Sequence, residues 1–303
     1  MAPPWALALL SGGFFWLSYL YALPALCKRL LPDAYGAFNP FNRRCFVQNL
    51  CSMAHTTLAF PLLAAALLTE PQLLAARLSP ARSRLLDVDV SLSLGYFSLS
   101  LPLSLYMRFA LGARAPYASA LLCLHHALVV VAQLAFLATR RPPFYMACSG
   151  VLFEASNLVY IPHILRTQLR ADATRLSAAL LFLTYTLTRV LGVTALVPLS
   201  LADLRAAEPA EAPLVPLLCL YGLLLISWVW YVRDLLPAAH AGLQEWWGET
   251  YYHACYPRAV RMLVWTRCTA DGRSHAVQRR ALRELRMEAA LAEVAEQHAP
   301  MEA

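Results

Sequence analysis

Seven long stretches of the chain consist mainly of apolar residues. They cover residues 5–26, 46–68, 91–111, 118–138, 144–164, 178–198 and 213–236. Each is near the ~20 residues that an α-helix needs to span a bilayer. The first stretch has no basic residues before it, unlike a cleaved signal peptide, and we expect it to remain as a membrane helix. The pattern predicts an all-α polytopic membrane protein with seven transmembrane helices.

The chain divides into three regions by this pattern. Residues 1–45 hold the first transmembrane helix and a cytosolic loop, and residues 46–236 hold the main membrane domain. Residues 237–303 are an interfacial segment, rich in Trp and Tyr, followed by a cytosolic tail. Within the tail, residues 275–297 lack Pro and Gly and are rich in Ala, Leu, Glu and Arg, which predicts a helix.

Composition supports membrane insertion and excludes some partners. Hydrophobic residues make up 59% of the chain and charged residues only 14%, whereas soluble proteins carry about 25% charged residues. The basic residues lie between the apolar stretches, which favours a role in topology and anionic-lipid contact over nucleic-acid binding. The eight cysteines show no metal-binding spacing, and we expect neither a metal nor another cofactor.

Basic residues are unequally shared between the two sides of the membrane. With the N-terminus outside or luminal, the inner loops and the tail hold eighteen Arg and Lys residues and the outer loops six. Positive charge accumulates on the cytosolic side. We therefore expect the C-terminus to be cytosolic.

Several apolar stretches carry strongly polar residues near their centres. These are His55, Ser100, His125, His126, Glu154, Asn157, Tyr185 and Arg189. At 1.5 Å per residue, all lie within about two helical turns of mid-span. Polar groups at that depth avoid lipid and meet one another or line a wet cavity. The sequence predicts a polar layer inside the helix bundle.

Two interpretations of this layer remain open. Glu154 and Arg189 can form a structural ion pair with the histidines as hydrogen-bonded neighbours, because buried ionic groups often specify packing. Alternatively, the layer lines a binding or catalytic cavity. A histidine beside a carboxylate can act as a general base for acyl transfer, and His125 and His126 are then the catalytic candidates. Adjacent histidines point about 100° apart on a helix, which disfavours a shared metal ion.

Five short motifs recur in order and at a shared depth in one membrane-protein family. They are Asn49-Leu50-Cys51-Ser52-Met53-Ala54-His55, Leu94-Gly95-Tyr96-Phe97, His125-His126, Glu154-Ala155-Ser156-Asn157 and Thr188-Arg189-Val190. With them, residues 43–236 resemble the TLC-domain family, which includes the ceramide synthases. The match is closer to the small TLC-domain-containing proteins than to the synthases.

The resemblance implies a barrel of six helices with the first transmembrane helix outside it. The barrel cavity would hold lipid chains around the polar layer. Members of the family act in sphingolipid synthesis or sensing, in phospholipid composition or in membrane-protein trafficking. The resemblance also favours the endoplasmic reticulum or another endomembrane over the plasma membrane.

Two departures from the family pattern concern catalysis. The family commonly has an Asp five residues after the Gly of the Gly-Tyr-Phe motif, and Ser100 stands at that position. The His-Asp-x-x-Asp sequence of the ceramide synthases is also absent after the paired histidines. Both departures remove carboxylates that an acid–base mechanism would use.

We therefore expect a protein that binds membrane lipids such as ceramide or phospholipid and influences lipid homeostasis or trafficking. Membrane-protein partners fit this role. The alternative is an acyl-CoA-dependent N-acyltransferase of ceramide-synthase type that uses the paired histidines. A transporter or channel ranks below both, because no inverted repeat accompanies the intramembrane charges.

Overall fold

Within the part of the chain that the structure describes, seven helices are long and apolar enough to cross a membrane. The computed structural model describes residues 3–110, 120–169, 175–208, 212–236 and 239. The seven helices are α1 (Pro4–Leu30), α2 (Pro40–Thr69), α3 (Arg84–Phe109), α4 (Ala120–Thr139), α5 (Pro143–Gln168), α6 (Leu176–Ala206) and α7 (Leu214–Leu235). No strand occurs among these residues. The predicted all-α polytopic class is confirmed.

The connections between the seven helices alternate between the two ends of the bundle. The described parts of these connections contain two short helices. Pro32–Ala37 lies between α1 and α2, and Gln72–Ala75 lies between α2 and α3. We call the end that carries the first, third and fifth loops the odd-loop face, and the opposite end the even-loop face. The predicted tail helix at 275–297 and the aromatic residues before it lie outside the described residues.

Helix starts follow from local capping signals. The Oδ1 atom of Asn39 accepts a hydrogen bond of 2.8 Å from the backbone N–H of Asn42, and Pro40 occupies the first helical position of α2. The Oγ of Ser83 likewise accepts a 3.0 Å bond from the N–H of Leu86 at the start of α3. Side-chain oxygens at these positions satisfy donors that the first helical turn leaves free.

The third helix begins earlier than its hydropathy predicts. The apolar stretch starts at residue 91, whereas α3 starts at Arg84 and includes two carboxylates. Asp87 forms an ion pair with Arg140, which follows the end of α4. The helix therefore extends beyond the apolar stretch because the charge of its first turn is paired across the bundle.

Helices α2 to α7 form a closed ring. In order around the ring, α2 contacts α3, α3 contacts α4, α4 contacts α7, α7 contacts α6, α6 contacts α5, and α5 contacts α2. This arrangement agrees with the predicted barrel of six helices. Lipid-facing residues cover its outside, and the inner faces surround a common interior.

The first helix packs outside the ring, against α3. The Oγ of Ser11 donates a 2.9 Å hydrogen bond to the carbonyl of Leu92. At Gly95, a Cβ atom would lie only 2.5 Å from the backbone nitrogen of Gly12. The two backbones approach this closely because small residues meet at the crossing, a common solution where lipid offers no hydrophobic force between helices. The side chain of Phe15 is fully buried beside this contact.

Candidate functional site

A cavity of about 280 Å³ lies within the helical ring. All six ring helices contribute to its wall. Seven of the eight predicted polar-layer residues line it: His55, His125, His126, Glu154, Asn157, Tyr185 and Arg189. Most of the remaining wall is apolar, contributed by residues such as Leu63, Val90, Phe97, Val129 and Leu220. The volume is near the lower end of small-molecule sites, which span about 300–1,000 Å³.

Ser100, the eighth predicted residue, lies behind the cavity wall. It is fully buried, and its Oγ accepts a 3.2 Å hydrogen bond from Nε2 of Gln48. The same Oγ lies 3.3 Å from Nδ1 of His126. Ser104, one turn further along α3, also approaches that nitrogen at 3.4 Å. Ser100 is therefore placed to orient His126 rather than to touch a ligand.

Glu154 is held from α2 and from its own helix. Its Oε2 accepts a 2.6 Å hydrogen bond from the hydroxyl of Thr56 and a 3.2 Å bond from Nδ2 of Asn157. Its Oε1 lies 3.9 Å from Nδ1 of His55. A buried carboxylate needs such donors because it has left water. Both oxygens of Glu154 thus face polar groups.

His55 is fixed on both sides of its ring. One ring nitrogen faces Glu154, and the other, Nε2, is 2.8 Å from the Oγ of Ser93. The ring also stacks on Tyr96, with centroids 4.5 Å apart. His55 therefore joins α2 to α3 at the depth of the polar layer.

Arg189 donates hydrogen bonds to α5 and packs between two aromatic rings. Its Nε donates to the hydroxyl of Ser156 and its Nη2 to Oδ1 of Asn157, both at 2.6 Å. The guanidinium carbon lies 5.1 Å from the ring centre of Phe153 and 5.3 Å from that of Tyr185. Cation–π contacts of this kind stabilise a desolvated guanidinium.

The expected ion pair between Glu154 and Arg189 does not form. Among the described residues, no salt bridge joins these two side chains. Asn157 stands between them instead, donating from its amide nitrogen to Glu154 and accepting through its oxygen from Arg189. The two charges are coupled through one amide and both remain on the cavity wall.

A π-helical segment carries Arg189 into this arrangement. The α-helical hydrogen bonding of α6 is interrupted over Thr186–Gly192, where the helix widens. Such segments add a residue to the turn and rotate the following side chains, and they are frequent at functional sites. Periodicity of 3.6 residues cannot predict the facing of residues that lie in or beyond this segment.

The paired histidines diverge. Their ring centres are 5.7 Å apart. His126 is buried and turns to the serines of α3, while His125 packs beside Trp230, with ring centres 5.4 Å apart. The Nδ1 of His125 is buried and has no hydrogen-bond partner among the described residues. The hydrogen-bonding capacity of this ring nitrogen is therefore not used by the described residues.

Several wall residues lay outside the sequence-based prediction of the layer, among them Asp89, Gln133 and Trp230. Asp89 lies four residues before Ser93 and extends the polar stripe of α3 by one turn, but it precedes the apolar stretch. Gln133 lies seven residues after His126, on the same face of α4. Helical spacing is the signal for both. Trp230 of α7 also lines the cavity.

Metal-ligating side chains are dispersed within the described parts of the chain. His, Cys, Asp and Glu do not gather there in groups of three or more that would hold a metal ion. At the polar layer, the cavity wall carries the carboxylate of Glu154, the guanidinium of Arg189 and the imidazoles of His55, His125 and His126.

Comparison with known proteins agrees with this architecture. A family model described as the TLC domain matches residues 45–233, which is more than half of the chain. No curated protein and no solved structure matches the chain significantly. The matched residues include the six helices of the ring, except residues 40–44 of α2 and 234–235 of α7, and every residue of the polar layer. The chain belongs to the TLC-domain family of multi-pass membrane proteins, whose members are related to lipid metabolism or homeostasis.

Proposed function

We propose that this protein binds a membrane lipid in its ring cavity and thereby influences lipid composition or trafficking. One observation carries the proposal: the polar side chains of the layer face a cavity whose remaining wall is largely apolar. An amphiphile matches both parts of such a wall. Ceramide and phospholipid each carry hydrogen-bonding groups next to long hydrocarbon chains.

The polar layer suits the head region of a lipid. Arg189 presents a guanidinium that can donate to phosphate or carbonyl oxygens, and Glu154 presents a carboxylate that accepts from hydroxyl or amide groups. Their coupling through Asn157 keeps both side chains in place. A pre-organised wall of this kind lowers the conformational cost of binding.

Location and orientation are part of the proposal. We expect an endomembrane such as the endoplasmic reticulum, with the N-terminus luminal and the C-terminus cytosolic. The distribution of basic residues supports this orientation, because they accumulate on the odd-loop face and in the tail. Membrane-protein partners would then meet the lipid-facing outside of the ring.

The experiment fills the cavity with a side chain. Val129 lines the cavity, whereas Val131, on the same helix, is 45% exposed on the outside. Lipids that co-purify with the full chain in detergent are identified by mass spectrometry for the wild type, Val129→Trp and Val131→Trp. We expect Val129→Trp to lose the bound lipid and Val131→Trp to retain it.

Two outcomes would overturn this function. In the first, the wild-type protein carries no lipid beyond the bulk detergent and lipid background. In the second, both tryptophan variants retain the lipid equally, which places it on the outer surface. Deletion in cells provides an independent check, because an unchanged lipidome and unchanged membrane-protein traffic would contradict the proposed role.

A second candidate is N-acyl transfer from an acyl-CoA, favoured by the unpartnered Nδ1 of His125. In this reaction the amine nitrogen attacks the thioester carbonyl, an N–C bond forms and the C–S bond breaks. The histidine takes the proton from the attacking amine and the coenzyme leaves as its thiol or thiolate. His126, held by Ser100, would orient the pair.

Purified protein incubated with a sphingoid base and an acyl-CoA tests this reaction. We expect amide product from the wild type and none from His125→Ala. Absence of product from the wild type, or product unaffected by replacing His125 and His126 together, would rule it out. Neither result bears on lipid binding, so the two candidate functions are separable.

A further inference from the structure

A buried carboxylate near the even-loop face has one oxygen without a hydrogen-bond partner among the described residues. Asp89 is 4% exposed and lines the ring cavity. Its Oδ1 makes no hydrogen bond, and no cationic side chain of the described residues pairs with it. Asp87, two residues earlier, forms an ion pair with the guanidinium of Arg140. A carboxylate withdrawn from water without donors is costly, which indicates a partner other than the described residues.

A second hydrogen-bond acceptor without a partner among the described residues belongs to another residue of the cavity wall. Gln133 is 7% exposed and also lines the cavity. Its Oε1 is buried and has no hydrogen-bond partner among the described residues. Val90, which follows Asp89, and Phe136, which lies three residues after Gln133, belong to one apolar cluster. Asp89 and Gln133 therefore lie at the same end of the ring.

This pair lies at a different depth from the polar layer. At 1.5 Å per residue, Asp89 is about 8 Å from the start of α3 and Gln133 about 9 Å from the end of α4. Both of those helix ends are on the even-loop face. By the same measure, Glu154 is about 17 Å and His125 about 21 Å from that face. Asp89 and Gln133 therefore lie nearer to the even-loop face than Glu154 and His125 do.

We propose that Asp89 and Gln133 form a second polar subsite, which binds the primary ammonium group of an amphiphile held in the cavity. The proposal rests on the proposed lipid-binding function and adds the chemical class of the lipid. An ammonium group offers three N–H donors and a positive charge. Two buried oxygens, one of them on a carboxylate, are the complement of that group.

Other head groups fit the two oxygens less well. Phosphate and carboxylate groups present oxygens to oxygens and add negative charge beside Asp89. A hydroxyl can donate one hydrogen bond but leaves the carboxylate without a counter-charge. A quaternary ammonium has the charge but no N–H to donate. Glu154, a second carboxylate on the same wall, adds to the preference for a cation.

The test compares two ligands that differ only in the head group. Radiolabelled octadecylamine and octadecan-1-ol are bound to the purified full chain in detergent, and the dissociation constants are measured. We expect the wild type to bind the amine with a dissociation constant about tenfold lower, or lower still, than that of the alcohol. A charge-assisted hydrogen bond contributes enough free energy for a ratio of about that size. Asp89→Asn should lower the affinity for the amine about tenfold and change that for the alcohol by less than about twofold.

Two further variants make the result specific. Gln133→Leu preserves the side-chain volume approximately. We expect this variant to bind the amine about fivefold more weakly than the wild type does. It keeps the subsite testable if Asp89→Asn fails to fold. Asp33→Asn removes a carboxylate from the exposed short helix in the first loop and should leave both affinities unchanged. Thermal unfolding of each variant verifies that it is folded.

The outcomes distinguish the inference from the function on which it rests. Equal wild-type affinity for amine and alcohol, or equal effects of Asp89→Asn and Asp33→Asn, would overturn the ammonium subsite while lipid binding stands. Failure of both ligands to bind would remove the lipid-binding function together with the subsite. Competition with sphinganine and with phosphatidylethanolamine identifies the source of the amine, and displacement of octadecylamine by neither would also overturn the subsite.

Discussion

The guanidinium of Arg189 donates a 2.6 Å hydrogen bond to the side-chain oxygen of Asn157. The amide nitrogen of the same Asn157 donates to Glu154. One amide therefore satisfies a cation and an anion at once, and this explains how two opposite charges remain close in the membrane without touching. The side chains of Glu154 and Arg189 also line the cavity.

Replacing Asn157 with Leu should destabilise the protein markedly. The change removes two hydrogen bonds to charged groups, each of which contributes about 1.5–3 kcal/mol. We expect a loss of about 3 kcal/mol in the free energy of unfolding, measured as a lower thermal midpoint in detergent. Asn49→Leu is the control, because the side chain of Asn49 donates a hydrogen bond to the neutral side chain of Gln168 and to no charged group among the described residues. Equal destabilisation by the two variants would contradict the bridging role.

The hydroxyl of Thr56 is predicted to stabilise the carboxylate of Glu154. Thr56→Val keeps the shape of the side chain but removes its 2.6 Å hydrogen bond, which should cost about 2 kcal/mol in the free energy of unfolding. The adjacent Thr57 is exposed and bonds only the backbone of its own helix. Thr57→Val should therefore have almost no effect, and chemical denaturation of both variants checks the difference. A loss for Thr57→Val that matches the loss for Thr56→Val would refute the prediction.

Packing of α1 on α3 should depend on Gly95. In Gly95→Ala, the added methyl group would meet the backbone of Gly12, which cannot move as a side-chain end can. We expect α1 to separate partly from the ring, at a cost of about 1–3 kcal/mol. Cross-linking between cysteines placed on the two helices reports the separation. Gly13→Ala is the matched control, because a Cβ at Gly13 meets no atom within 4 Å. Unchanged cross-linking in Gly95→Ala would contradict the prediction, because it would show that the helix crossing tolerates the methyl group.

Membrane orientation is testable with glycosylation acceptors. A luminal acceptor sequence inserted in the sixth loop, at 207–212, should be glycosylated in cells, and one inserted in the first loop, at 31–39, should not. The reason is the excess of basic residues on the odd-loop face, which is retained in the cytosol. The reverse labelling pattern would place the N-terminus in the cytosol.

Hydropathy by itself predicted the number of membrane helices and the residues of the polar layer. A bilayer requires about 20 apolar residues for each span, and a charge at mid-span must turn away from lipid. Those constraints are local to each helix. For this reason Glu154 and Arg189 could be recognised as inward-facing without knowledge of their neighbours, and the order of the motifs indicated the TLC fold.

Helix ends and partner choice were not predictable in the same way. The start of α3 at Arg84 depends on Asp87 meeting Arg140, which lies 53 residues later. The depth of Asp89 within the membrane domain follows from that early start. A carboxylate outside the apolar stretch gives no local sign that it will line a cavity.

The sequence alone determined that the chain is a seven-helix membrane protein with histidines, a carboxylate and a guanidinium at mid-depth, because membrane insertion acts on each segment separately. Only the tertiary structure decided that Asn157 separates Glu154 from Arg189, that Nδ1 of His125 has no hydrogen-bond partner among the described residues, and that Ser100 stands behind the wall. These relationships depend on the rotation of each helix in the ring. A π-helical segment such as Thr186–Gly192 changes that rotation, and packing against neighbouring helices sets it.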